Sequence, residues 1–168
     1  MKSFRFLIAI ALIGTLLTYS GCGKDSTPGP SEQDKQLTLL AKPWKATSVT
    51  LDGAVPTVPA PANYTYVGNF IFDATNTKVT AGQTNFTYIT SGGPLGSKTP
   101  WPKSGSFTFG TDFATTLTRD DGFVVSYSVS ATRLQMTFNT GGKTPPFTGY
   151  DGRTANVSGN WVFEFALK

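Results

Sequence analysis

From Phe123 to Phe138 apolar and polar side chains alternate with a period of two, and no other feature restricts the fold as much. Phe123, Val125, Tyr127 and Val129 point one way, and Val124, Ser126, Ser128 and Ser130 the other. After Ala131-Thr132, Leu134, Met136 and Phe138 oppose Arg133, Gln135 and Thr137. A period of two is the signature of strands with one face in a core and one in water. Asp120-Asp121-Gly122, between β-prone runs, is the strongest hairpin signal in the chain. The last residues repeat the pattern: Trp161, Phe163, Phe165 and Leu167 share one face, and Val162, Glu164, Ala166 and Lys168 the other. A terminal strand this apolar needs a partner. Pairing it with the first strand around Trp44 closes the sheet and removes its edges.

The remaining strands are shorter. Thirteen Phe, six Tyr, three Trp and 26 Thr favour strands, while 18 Gly and 11 Pro supply turns. Ser31 to Asp34 reads as a variant capping box for one short helix over 32–41, stopped by Pro43. Trp44 to Leu51 is β-prone with imperfect alternation, and Asp52-Gly53 turns the chain. From Tyr64 a strand is expected with Tyr66, Phe70 and Phe72 on one face and a bend at Gly68. Lys78–Ala81, Phe86–Thr90, Ser106–Phe109 and Ala114–Arg119 complete the set. Three long Gly/Pro-rich connections interrupt it, at 54–63, 91–105 and 140–158, and connections of that length are often functional. The expected fold is all-β, an antiparallel meander closed or nearly closed into a barrel of about eight strands, with one short helix at the barrel end.

The N-terminus sets the compartment. Lys2 and Arg5 precede an apolar run from Phe6 to Leu17, then Tyr19-Ser20-Gly21-Cys22, the layout of a secretory signal. As a helix that run spans only about 18 Å, short of a bilayer core of roughly 30 Å. Ser-Gly-Cys resembles the lipobox of bacterial lipoproteins, with Tyr19 standing where that pattern has an aliphatic residue. The resemblance implies cleavage after residue 21 and lipidation of Cys22 with acyl chains such as palmitate. Cys22-Gly23-Lys24-Asp25 further resembles the Lys-acidic signal of lipoproteins displayed on the outer face of the outer membrane in the Bacteroidetes. Three parts follow: a signal peptide (1–21), a tether from Cys22 (22–30) and a barrel domain (31–168).

Composition then excludes chemistry. The chain has no histidine and a single cysteine, which removes Ser-His-Asp and Cys-His catalysis, His/Cys zinc sites, and haem or iron-sulfur ligation. Lys2 and Arg5 leave with the signal, so fourteen basic residues become twelve against ten acidic ones, and the formal charge falls from +4 to +2. That balance gives no support for nucleic-acid binding. Asp120 with Asp121, or Asp151 with Asp112, are candidates for calcium or a glycosidase pair, but turn chemistry explains each. No metal, cofactor or enzymatic activity is expected. The sequons at Asn63, Asn85 and Asn156 carry little meaning in a bacterial lipoprotein.

The tether, the capped helix running into Leu40-x-x-Pro43-Trp44, the Asp-Asp-Gly hairpin and the closing Gly159-Asn-Trp-x-Phe-x-Phe strand together resemble the lipocalin-like lipoproteins of the Bacteroidetes. The resemblance covers 31–168 and implies a helix plugging one end of a barrel of eight or so strands. Two readings of the interior stay open, a filled core or a cavity for one small apolar molecule. No inward polar cluster to orient a ligand is expected. Trp44, Tyr66, Tyr127 and Trp161 are the candidate lining residues. On the loops, Trp101 between two prolines either stacks on a glycan or partner, or folds back over the barrel mouth, and Phe147 and Tyr150 share that ambiguity. The expected role is non-enzymatic binding of a small apolar molecule or a glycan at the cell surface. The alternative is a structural or assembly subunit docking to an outer-membrane protein through its loops.

Overall fold

The computed structural model describes residues 30–56, 64–77, 83–93, 99–141 and 158–168. The signal segment, Cys22, the expected strand at Lys78–Ala81, Phe147, Tyr150, Asp151, Asn63 and Asn156 lie outside the described residues. Among those described, no helix is long and apolar enough to cross a membrane.

Among the described residues one helix precedes eight strands: α1 (Glu32–Leu40), β1 (Pro43–Leu51), β2 (Ile71–Asp73), β3 (Phe86–Ser91), β4 (Ser104–Phe109), β5 (Thr116–Arg119), β6 (Val124–Val129), β7 (Arg133–Asn139) and β8 (Asn160–Leu167). Each strand pairs antiparallel with its neighbours in sequence, and β8 returns to β1 to close the barrel. The closing seam runs from Trp44 opposite Leu167 to Leu51 opposite Trp161. Closure leaves no edge open for another chain to pair with.

The alternation read from the sequence holds through β6 and β7, where Val125, Tyr127, Leu134, Met136 and Phe138 are buried. In β8, Trp161, Phe163 and Phe165 are buried, but Leu167 is 45 % exposed because the strand runs past the core there. The imperfect alternation of β1 has a cause. A bulge between Ala46 and Ser48 inserts Thr47, so Trp44, Ala46 and Val49 all face inward despite their uneven spacing. At the Asp-Asp-Gly hairpin the Gly122 amide donates to the Arg119 carbonyl, and Gly122 takes φ 81°, a left-handed conformation that glycine adopts without strain.

One expected strand is shortened. Residues 64–70 form a turn, in which the Asn69 and Phe70 amides donate to the Tyr66 carbonyl, and β2 begins only at Ile71. The three aromatics assigned to one face do share it, since Tyr66, Phe70 and Phe72 are all buried. Phe72 does so from β2, whereas Tyr66 and Phe70 reach the core through a turn around Gly68, at φ 77°, and not through strand pleating.

Alternating strand direction sorts the connections between two ends. The β2–β3, β4–β5 and β6–β7 connections lie at the end covered by α1. There Leu37 and Leu40 are buried, Lys42 Nζ donates to the Ala131 carbonyl at 3.1 Å, and Trp44 Nε1 donates to the Leu40 carbonyl at 3.1 Å. The connections after β1, β3, β5 and β7 emerge at the opposite end. All three long Gly/Pro-rich connections therefore leave the barrel together.

Candidate functional site at the loop end

Aromatic rings fill the barrel. Trp161, Phe163 and Phe165 stack along β8 with centroids 5.7 and 5.9 Å apart, and Phe138 stacks on Phe163 at 6.0 Å. Across from them Phe72 lies 5.3 Å from Tyr88. Spacings of this kind are direct ring contact. The candidate lining residues do not surround a common space. Trp44 and Tyr127 pack toward the helix end, where the Tyr127 hydroxyl donates to the Phe113 carbonyl. Tyr66 and Trp161 pack against each other toward the loop end, with centroids 6.0 Å apart.

Trp101 is 1 % exposed, so its ring is not displayed for stacking on a glycan. Of the two readings of this residue, it is the folded-back one that the structure bears out. The indole inserts edge-on against Phe138 at 5.2 Å and Tyr88 at 5.6 Å. It is carried by a buried strap, Thr99 to Pro102, in which prolines on both sides restrict the backbone. Thr90 on β3 ties that strap down: its hydroxyl donates to the Pro102 carbonyl at 2.7 Å, and its amide donates to the Lys103 carbonyl at 2.7 Å. The Trp101 amide donates to Thr99 Oγ1 at 3.2 Å.

Beneath the strap lies a charged group, contrary to the expectation that no polar cluster points inward. Arg119, the last residue of β5, is 2 % exposed. Its Cζ sits 4.5 Å from the Trp101 ring and 5.3 Å from each of the Phe123 and Phe138 rings. Nη1 donates to the Pro100 carbonyl at 2.9 Å, and Nη2 forms an ion pair with Asp121. The signal for this residue was present in the sequence. Arg119 has the same parity as Leu117 and so must share its inward face, yet a basic residue beside an Asp-Asp-Gly turn reads most simply as part of the turn.

Two buried polar atoms in this cluster, Arg119 Nε and Trp101 Nε1, have no hydrogen-bond partner. Leaving such a group unsatisfied costs about 1–3 kcal/mol each. Burial pushes the Tyr88 hydroxyl pKa well above its ordinary value. The nearby Arg119 charge and a side-chain hydrogen bond with Arg119 act against that shift, and Asp121 and Asp120 add to it. Tyr88 spans the barrel wall opposite Gly105 on β4, where a Cβ would come 2.6 Å from its hydroxyl oxygen.

The acidic residues are occupied by local structure, as turn chemistry anticipated. Asp120 Oδ2 accepts from the Ser106 amide at 2.9 Å, and Asp112 accepts from the Ala114 amide and the Thr115 hydroxyl at 3.1 and 2.7 Å. Among the described residues no group of three or more acidic, Cys or His side chains could hold a metal ion. On the outer wall Thr47, Ser128, Arg133, Gln135 and Glu164 line a polar groove across β6, β7, β8 and β1. There Gln135 Nε2 donates to Glu164 Oε1 at 3.3 Å, and the Thr47 hydroxyl donates to the Glu164 carbonyl at 3.2 Å. In comparisons with family models, curated proteins and solved structures, nothing matches this chain.

Proposed function

We propose that this chain is a non-enzymatic outer-membrane lipoprotein, anchored through lipid on Cys22, whose solid barrel presents its loop end to a protein partner. The observation that carries this reading is the sorting of the connections. All three long ones leave at one end, while the anchored chain enters the domain through α1 at the other. Rigid frameworks commonly carry recognition on loops gathered at one end. The contents of the barrel support a protein partner over the other candidates. Packed rings leave little room for an apolar ligand, and the one rigid loop aromatic suited to a sugar, Trp101, is buried.

Two exposed aliphatic side chains support the same end. Val55 and Val124 are 82 and 60 % exposed, and they stand in the β1–β2 connection and at the start of β6. Apolar side chains of this kind are contacts that a protein surface can cover. The Lys24-Asp25 pair after Cys22 supports the cell-surface face of the membrane, and the family resemblance supports the same placement. Photo-crosslinking side chains at Val55 and Val124, and at Ala131 on the helix end, test the reading in intact cells. A protein adduct from the first two positions and none from the third is expected. Glycan adducts, no adducts, or equal adducts from both ends would overturn it.

A further inference from the structure

The closing seam of the barrel gathers cations at the end covered by α1. Ala166 on β8 pairs with Lys45 of β1 on one side and with Arg133 of β7 on the other. Their chain neighbours Trp44, Ala46, Leu134 and Phe165 are buried, so all three residues face outward. Three strands in a row place Lys45 and Arg133 about 9–10 Å apart, with only the methyl group of Ala166 between them. Lys168 follows Ala166 with the same parity, and its amide donates to the Pro43 carbonyl at 3.0 Å. Lys42 Nζ donates to the carbonyl of Ala131, in the turn before Arg133, at 3.1 Å, which brings a fourth cation to this rim.

Among the described residues none of these four cations is in an ion pair. The acidic side chains of this end are already engaged. Glu32 and Asp34 lie in the first turn of α1, where the helix N-terminus favours negative charge. Asp73 accepts from the Thr75 amide and hydroxyl at 2.9 and 2.6 Å, and Asp112 accepts from the Ala114 amide and the Thr115 hydroxyl. Glu164, two residues before Ala166 on the same face, accepts from Gln135 and offsets one charge of the four. The patch stays positive.

Its geometry fits phosphate approaching from outside. A guanidinium takes two phosphate oxygens at once, and lysine ammonium groups act as point charges beside it. The polar groove next to Arg133, with a volume of about 550 Å³, offers Ser128 and Gln135 to the hydroxyl-bearing part of a headgroup. Leu167, 45 % exposed between Ala166 and Lys168, adds an apolar contact that a lipid layer covers and an isolated phosphate does not. Chain length supplies proximity. Cys22 and Glu32 are ten residues apart in sequence, a reach of at most about 34 Å.

We propose that Lys42, Lys45, Arg133 and Lys168 form a docking surface for the phosphate headgroups of anionic membrane lipids. Docking sets the helix end of the barrel against the membrane and turns the loop end away from it. The proposal rests on the anchoring reading in one respect, because lipid on Cys22 is what keeps this end near the surface.

Vesicle binding by the mature chain carrying Cys22→Ser, which has no acyl chain of its own, tests the patch. Vesicles of phosphatidylcholine mixed equally with phosphatidylglycerol should bind it, and phosphatidylcholine alone should not. Raising the salt from about 0.1 M to about 0.5 M should release it, since screening shortens the range of these charges. Lys45→Glu with Arg133→Glu should weaken binding at least about tenfold at an unchanged melting temperature, and Lys45→Gln with Arg133→Gln should weaken it less. In intact cells a photo-crosslinking side chain at Thr132 should capture lipid. No binding to either vesicle, equal binding to both, or unchanged binding by both double variants would overturn the inference, as would a protein adduct at Thr132 in place of lipid. The mass of the N-terminal peptide of the wild-type protein reads the anchor separately, so the patch and the anchor can fail independently.

Discussion

The Arg119 guanidinium lies 4.5 Å from the Trp101 ring and donates through Nη1 to the carbonyl of Pro100, the residue before it. A buried strand residue thus holds a loop residue by both its face and its backbone. Cation–π contact in a desolvated setting contributes about 2 kcal/mol, and the bond to Pro100 fixes the position of the strap. The long β3–β4 connection is therefore anchored at its base.

The charge of Arg119 is balanced chiefly by Asp121, whose side chain is 20 % exposed while that of Arg119 is fully covered. Removing the acid strands a buried cation, whereas removing the arginine leaves a carboxylate that water can reach. Asp121→Ala is expected to cost about 3 kcal/mol, and Arg119→Met, which keeps much of the packing, clearly less. Urea unfolding of both variants checks the order. Equal losses would show that Asp121 does not neutralise the arginine.

Trp101 fills space that no strand residue reaches. Trp101→Ala should lower stability by about 3–5 kcal/mol, the range for deleting a buried aromatic. Val124→Ala, at a 60 % exposed position, should change it by less than about 0.5 kcal/mol. Chemical denaturation compares the two. A small effect at Trp101 would mean that the strap is only loosely seated.

Gly105 is required for space. Its backbone φ is not left-handed, but a Cβ there would come 2.6 Å from Tyr88 Oη and 2.8 Å from Tyr88 Cζ. Gly105→Ala is expected to cost about 1–3 kcal/mol through overpacking. Trimming Tyr88 to Leu in the same chain should recover part of that loss, and a double-mutant cycle measures the coupling. Additive effects would show that the two residues do not compete for the same volume.

Burial raises the pKa of Tyr88 and Tyr127 above the ordinary 10.0 of a free tyrosine, with Asp112 adding to the shift at Tyr127. The native state thus holds protons that the unfolded chain releases. This stabilisation is complete below pH 10 and is lost as the pH rises above it. A tyrosinate absorbance titration should show Tyr88 and Tyr127 ionising only as the protein unfolds, with Tyr88→Phe and Tyr127→Phe variants assigning the steps. All tyrosines titrating together in a still-folded protein would contradict the burial of these hydroxyls.

Much of the fold was legible because closure and alternation are properties of pattern. Four large apolar residues in β8 demanded a partner strand, and Trp44 opposite Leu167 supplies the seam. Less legible were features that depend on bends in the chain. By departing from the strand period, the β1 bulge at Thr47 places Val49 inside and the turn at 64–70 places Tyr66 and Phe70 inside. The candidate site divides in the same way. That Trp101 folds back was one of two readings, because a Pro-Trp-Pro segment has the same local preferences exposed or buried. Arg119 was missed because its parity conflicted with its polarity, and only the surrounding rings, Asp121 and Pro100 together make an inward arginine tolerable.

The central claim, that the barrel is a solid support and that recognition lies outside it, is tested most directly by native mass spectrometry of the protein extracted gently from its own membrane. The account predicts the mass of the chain beginning at Cys22 with its acyl chains, and no small molecule retained in the barrel. A stoichiometric apolar ligand that stays bound until the protein unfolds would contradict it.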